Sequence, residues 1–226
     1  MATFKGIIFD FNGTLFLDSP LHEKAWIEMA VELRDKKLTV EEFRIHGHGR
    51  TNKTIIQYLL GYLPEMDELE RITEQKEKYY RELCLQNSQD FKLASGAEWV
   101  LNKAKELALP ITIATGSYAR NVEFYFQYLN LGKWFRREWV VLDDGTYPGK
   151  PAPDIFMLAA QKLHLAIHDC LVFEDSYSGI ESAWKAGVGH IVAVEPRLNH
   201  DLIKVPKHLI TYQNGFEGFD LNTYFS

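Results

Sequence analysis

Near the N-terminus the apolar run Ile7-Ile8-Phe9 stops at Asp10, and the polar stretch Asn12-Gly13-Thr14 follows one residue later. Uninterrupted β-branched and aromatic residues predict a short strand buried on both faces, as in a parallel sheet. Asp10 then falls at the strand's carboxyl end, where open α/β sheets place their ligands. The plain alternative for Asp10 is a turn residue that bonds its own backbone. Beyond it the period changes. Leu21, Ala25, Trp26, Met29, Ala30 and Leu33 recur at helical spacing, behind Ser19-Pro20, which reads as an N-cap followed by proline in the first turn. Thr39-Val40-Glu41-Glu42 matches a capping box and opens a short second helix. Ile45 to Arg50 is rich in His and Gly and reads as a loop. Asn52 is the expected cap of a helix carrying Ile55, Ile56, Leu59 and Leu60. A long helix is expected from Asp67, with Leu69, Ile72, Tyr79, Tyr80 and Leu83 along it. No strand is predicted from residue 19 to about 90.

From Ser95 the pattern alternates. Ser95-Gly96-Ala97-Glu98 resembles a capping box ahead of Trp99, Val100, Ala104 and Leu107. Residues 110–115 read as a strand, and Ser117 as the cap of the aromatic-rich helix behind it. Residues 139–142 read as a strand, 154–164 as a helix and 170–173 as a strand ending in Glu174-Asp175. A helix from Ser178 to Ala186 closes at Gly187, and residues 190–194 form another strand. Strands alternating with helices imply right-handed crossovers and a parallel sheet. The predicted fold is therefore α/β, a Rossmann-like core of residues 1–16 and 93–226, with an inserted helical domain at 17–92.

Composition narrows the classes of function. The chain has 226 residues, 46% hydrophobic and 25% charged, with a net charge of -6. That balance is ordinary for a globular protein and argues against a nucleic-acid partner. No apolar stretch is long enough to span a bilayer, and no basic region leads into an apolar segment at the N-terminus. Cys84 and Cys170 lie far apart without metal-like spacing, which suggests a reducing compartment. A cytoplasmic protein, monomer or weak dimer, is expected, with no membrane partner.

The predicted strand ends carry Asp10, Thr115, a loop leading to Lys150, and Glu174-Asp175. In a parallel sheet these share one edge. Three carboxylates gathered there repel unless a cation sits among them, and hard oxygen ligands select Mg²⁺. The lysine and the hydroxyl then suit a phosphate, and a carboxylate facing it is a candidate nucleophile. His22 reads first as a helix-surface residue, and His46 and His48, in a Gly-rich loop, read first as solvated. Asp143-Asp144 reads as a turn, and the clustered aromatics Tyr79-Tyr80 and Phe124-Tyr125-Phe126 as packing.

Asp10-Phe11-Asn12-Gly13-Thr14-Leu15, Thr115, Gly149-Lys150-Pro151-Ala152-Pro153-Asp154 and Phe173-Glu174-Asp175-Ser176-Tyr177-Ser178-Gly179-Ile180 together resemble the four signatures of the haloacid dehalogenase (HAD) superfamily, in order and over nearly the whole chain. The helical insert, with His22-Glu23-Lys24-Ala25-Trp26 and Gly49-Arg50, resembles the cap of the β-phosphoglucomutase-like subfamily. The resemblance implies Asp10 as nucleophile and magnesium ligand, the backbone carbonyl of Asn12 and Asp175 as further ligands, and Glu174 as metal support. It implies Thr115 and Gly116 at the phosphoryl oxygens, Lys150 neutralising charge, and His22, His46 and Arg50 serving the substrate from the cap. The implied activity is Mg²⁺-dependent hydrolysis of a small phosphorylated metabolite, a sugar phosphate, through an aspartyl-phosphate.

One position departs from that pattern. The family's phosphatases and mutases carry a second aspartate where this chain has Asn12. An amide donates a hydrogen bond but neither delivers a proton nor acts as a base. General acid–base help is worth roughly 10²–10⁴-fold, so binding is expected to survive and turnover to suffer. Dehalogenases and phosphonatases also lack this acid; the first need no magnesium, and the second need a cap lysine that nothing marks in Lys53. Asn12 is then a natural adjustment, an introduced substitution, or the mark of a phosphometabolite-binding protein without turnover. Phosphosugar mutase chemistry is the remaining alternative. Asn12-Gly13 is also a deamidation-prone pair, a second route to an acid at this position.

Overall fold

The computed structural model describes residues 4–47, 50–87 and 89–225. His48 and Gly49 of the sequence reading lie outside them. The chain divides into two compact units, Met1–Leu17 with Lys92–Ser226, and Asp18–Phe91.

The first unit is a six-stranded sheet: β1 (Gly6–Phe9), β2 (Ile111–Thr115), β3 (Val141–Leu142), β4 (Cys170–Glu174), β5 (His190–Ala193) and β6 (Ile210–Tyr212). All pairs are parallel, in the order β3-β2-β1-β4-β5-β6. The strands β1, β2 and β4 are buried along their whole length, as their unbroken apolar runs require. The order reverses between β1 and β4, so the crevice at their carboxyl ends is a topological switch point. Phe9 pairs with both Ile113 and Phe173, which sets the residue after β1 level with the ends of β2 and β4.

In the second unit α1 (Ser19–Arg34), α2 (Val40–His46), α3 (Asn52–Leu60) and α4 (Met66–Gln86) pack around Trp26, Met29, Phe43, Ile55, Ile56, Leu59 and Ile72. In the first, α5 (Ala97–Glu106) precedes β2, α6 (Ala119–Tyr128) follows it, α7 (Asp154–Lys162) follows β3, and α8 (Tyr177–Ala186) follows β4. Gly187 closes α8 with φ 79.

Helix starts differ from expectation by a residue or two, each for a visible reason. Asp18, not Ser19, occupies the cap position of α1, and its carboxylate takes the Tyr80 hydroxyl instead of a backbone N–H. Thr51 caps α3 by accepting from Thr54 N, because the Asn52 amide donates to Glu77 at 2.8 Å. Gly96 caps α5 with φ 78, and a Cβ there would lie 2.8 Å from Glu217 N. The helix α2 runs through Ile45 and His46, so the expected loop begins only at Gly47. The strand expected over 139–142 shrinks to β3, since the Trp139 carbonyl accepts from Thr112 Oγ1 at 2.7 Å.

The segment after 205 adds an edge strand, β6, and then buries Phe216, Phe219 and Phe225. Phe173 stacks on Phe9 at 5.0 Å and on Phe216 at 5.2 Å.

Candidate active site

The site grows from the turn after β1. Asp10 N–H donates to the Phe173 carbonyl at 2.9 Å, which continues the ladder by one residue and fixes the Asp10 backbone beside β4. Gly13 then takes φ 84, and its N–H donates to Phe16 O at 2.7 Å. A Cβ on Gly13 would sit 2.2 Å from Asp175 Oδ2. Glycine is required there on two counts, conformation and close approach. Thr14 donates from Oγ1 to Asp175 Oδ1 at 3.0 Å, tying the turn to the end of β4.

Lys150 arrives from the loop ahead of α7. Its Nζ donates to Asp10 Oδ1 at 2.5 Å and to Glu174 Oε1 at 2.6 Å. The other oxygen of Glu174 accepts from Asp175 N, Ser176 N and Ser176 Oγ. Both Glu174 oxygens are thus engaged by protein donors, and the residue acts as a brace for Lys150 and for the turn into α8. Gly179 makes room for it, since a Cβ there would meet Glu174 Oε1 at 1.6 Å.

Burial dominates the electrostatics. It pushes Asp10 up from 3.8 to about 7, opposed by the Lys150 cation and assisted by Glu174. Burial also raises Asp175 well above the ordinary range, with Glu174 and Asp10 adding to the effect. On Lys150, burial opposes the charge but the two carboxylates outweigh it, so its pKa is raised. Asp10 Oδ2 is buried with no hydrogen-bond partner among the described residues. Ligand oxygens of Asp10, Glu174 and Asp175 gather within 4.8 Å of one another. The three carboxylates, one of them with a bare buried oxygen, form an all-oxygen set that suits a hard divalent cation.

Asn12 is held firmly. Its Oδ1 accepts from Ser117 Oγ at 2.6 Å and from Thr115 Oγ1 at 3.2 Å, and its Nδ2 donates to Tyr125 OH at 3.0 Å. Tyr125 also stacks on Phe11 at 4.5 Å. The expectation that Ser117 caps α6 is corrected: the cap position belongs to Tyr118, and the Ser117 hydroxyl is committed to Asn12. Ser117 and Tyr125 are site residues that the sequence reading missed; only the short spacing of Ser117 from Thr115 hinted at the first. Deamidation requires the Gly13 nitrogen to attack the Asn12 side chain. That nitrogen is hydrogen-bonded and the amide is pinned at both ends, so the folded chain resists it.

The structure thus brings Asp10, Asn12, Thr115, Lys150, Glu174 and Asp175 onto one sheet edge, with Gly116 exposed in the loop beside Thr115. His22, His46 and Arg50 belong to the second unit. His22 stacks on Tyr80 at 3.9 Å and its Nδ1 lies 2.8 Å from Lys76 Nζ. His46 stacks on Tyr58 at 3.9 Å, and Arg50 is exposed. Asp143 and Asp144 accept from Gly145 N and Thr146 N, a turn role.

Residues 4–187 match the haloacid dehalogenase-like hydrolase family. The chain is 30% identical over 199 residues to a phosphorylated carbohydrates phosphatase of Thermotoga maritima, covering 86% of this chain and 87% of that protein. It is 29% identical over 196 residues to the fructose-1-phosphate phosphatase YqaB of Escherichia coli, covering 86% and 97%. Among solved structures, a HAD hydrolase of family IA, variant 3, from Entamoeba histolytica superposes with a TM-score of 0.88 at 35% identity, covering 96% of each chain.

Proposed function

The chain belongs to the haloacid dehalogenase-like hydrolases, and from that premise we propose that it removes the phosphoryl group of a small phosphorylated metabolite, a sugar phosphate, through a covalent intermediate on Asp10. The observation that carries the reading is the Asp10 carboxylate, with one oxygen bound by Lys150 and the other bare and buried among acids. The names of the relatives, phosphatases of phosphorylated carbohydrates and of fructose 1-phosphate, support the substrate class.

In this reading Asp10, Asp175 and the Asn12 carbonyl hold Mg²⁺, with Glu174 in support. The bound ion supplies positive charge against the phosphoryl oxygens. Asp10 attacks phosphorus, and the bond to the sugar oxygen breaks. Lys150 keeps Asp10 aimed and offsets the charge that collects there. Thr115 and Gly116 take the phosphoryl oxygens, Thr115 by turning its hydroxyl from Asn12. Water then cleaves the aspartyl-phosphate. Both steps move a proton that Asn12 cannot carry: solvent water gives one to the departing sugar oxygen and takes one from the attacking water. His22, His46 and Arg50 are assigned to the organic part of the substrate by resemblance. The specific observation that favours a second reading, a binder without turnover, is Asn12 itself.

The test is phosphate release from phosphorylated carbohydrates by the intact chain. Release is expected with Mg²⁺, lost on chelation and lost in Asp10→Asn. Release that persists in Asp10→Asn removes the assignment.

A further inference from the structure

We propose that Ser182 and Tyr147 are positioning residues for Lys150: their hydroxyls pin the segment that carries it, so that one ammonium meets both Asp10 and Glu174. The inference rests on the reading of this sheet edge as a phosphatase site given above. It adds two residues that lie outside the motifs of the sequence.

Lys150 lies in a segment poor in backbone donors, because Pro148, Pro151 and Pro153 have no N–H. Inside its turn the Ala152 N–H donates to the Gly149 carbonyl at 3.1 Å. Pro148, Gly149 and Pro151 are exposed, so packing holds them lightly. Side-chain hydroxyls hold the flanks instead. Ser182 is buried, and its Oγ donates to the Ala152 carbonyl at 2.5 Å. The Tyr147 hydroxyl donates to the Leu142 carbonyl at the end of β3. The Tyr147 ring packs on the core that includes Ile155 and Phe156.

Both anchors attach to elements that carry other parts of the site. Leu142 pairs with Thr115 in the ladder between β3 and β2. Ser182 follows Gly179 by three residues on α8, one step along the same helix face. Gly179 is the glycine packed against the Glu174 carboxylate. The segment is thus referenced on one side to the threonine assigned to the phosphoryl group, and on the other to the acid that Lys150 must reach. Lys150 Nζ then meets Asp10 Oδ1 at 2.5 Å, Glu174 Oε1 at 2.6 Å and the Ala114 carbonyl at 3.4 Å. Lysine is a point charge on a flexible four-carbon stem, so its aim depends on where its backbone is pinned. Pro151, with its fixed φ, passes a shift at Ala152 back to Lys150. A misplacement of about 1 Å costs up to about 10²-fold in rate.

The test is steady-state hydrolysis of phosphorylated carbohydrates with Mg²⁺ by the full chain, in the parent and in the Asn12→Asp background. Ser182→Ala and Tyr147→Phe are each expected to lower kcat, by up to about 10²-fold, with KM unchanged. That split marks a contact that matters in the transition state and not in the bound substrate. Ile210→Val, on the edge strand β6, serves as the structural comparison: it is expected to lower the melting temperature and leave kcat alone. If Ser182→Ala does not fold, Tyr147→Phe, which removes a single oxygen, decides the proposal. A folded variant with its background's kcat removes that residue from the proposal, and so does a loss confined to KM. In those cases the phosphatase reading stands and this inference falls. If neither background releases phosphate from any substrate, the reading falls and takes the inference with it.

Discussion

Gly179 shows how closely the acid at the end of β4 is boxed in. Any side chain there meets the Glu174 carboxylate, which in turn holds Lys150 against Asp10. Gly179→Ala is therefore expected to lower stability by about 1–3 kcal/mol, as overpacking does. It is also expected to weaken divalent-cation binding, since Glu174 must shift. A thermal melt with and without Mg²⁺ checks this; an unchanged melt and an unchanged metal response would contradict it. Much of this site was legible in advance, because acids, a hydroxyl and a lysine at the ends of apolar runs are local signals. Ser117 and Tyr125 were not legible. A serine before a helix reads first as a cap, and a tyrosine amid aromatics reads as packing. Only the fold reveals that both hydroxyls turn toward Asn12.

At the scale of elements, α4 carries a buried ion pair that periodicity alone would place among surface charges. Lys76 Nζ lies 2.8 Å from Glu77 Oε1, and both residues are buried. Burial would raise the Glu77 pKa, but Lys76, His22 and Asn52 outweigh it and hold the group at about 2. Burial likewise lowers Lys76, with Glu77 opposing it. Removing one partner strands the other away from water. Glu77→Ala is expected to cost about 3–5 kcal/mol in urea unfolding, while replacing the pair together as Lys76→Met/Glu77→Leu costs less. If the double variant loses as much as the single, the pair itself is stabilising and the argument from a stranded charge fails. The same scale explains the edges of the sheet. β1, β2 and β4 were legible as unbroken apolar runs, whereas β6 has only three residues and β3 only two. Their register comes from neighbouring strands, which a one-dimensional pattern does not contain.

For the whole molecule, an acid-rich sheet edge is expected to make stability depend on pH and on added Mg²⁺. Asp10 has a folded pKa near 7 against an ordinary 3.8, chiefly through burial. Between those values the folded chain keeps a proton that the unfolded chain has lost. Stability therefore falls as pH rises from about 4 to about 7, and the loss is complete above that. Glu77, held low, works only below its ordinary 4.5 and leaves this window unchanged. The metal-free chain is expected to melt lower at about pH 8 than at about pH 5.5, with Mg²⁺ narrowing the gap. A melt that rises with pH would contradict a buried Asp10 that holds its proton to about pH 7. The most direct measurement is phosphate release from a panel of phosphorylated carbohydrates with Mg²⁺, run on this chain and on Asn12→Asp side by side. The account expects both to act on the same substrate, the parent slower by about 10²–10⁴-fold. If neither releases phosphate from any of them, the central claim that this sheet edge is a phosphatase site is wrong.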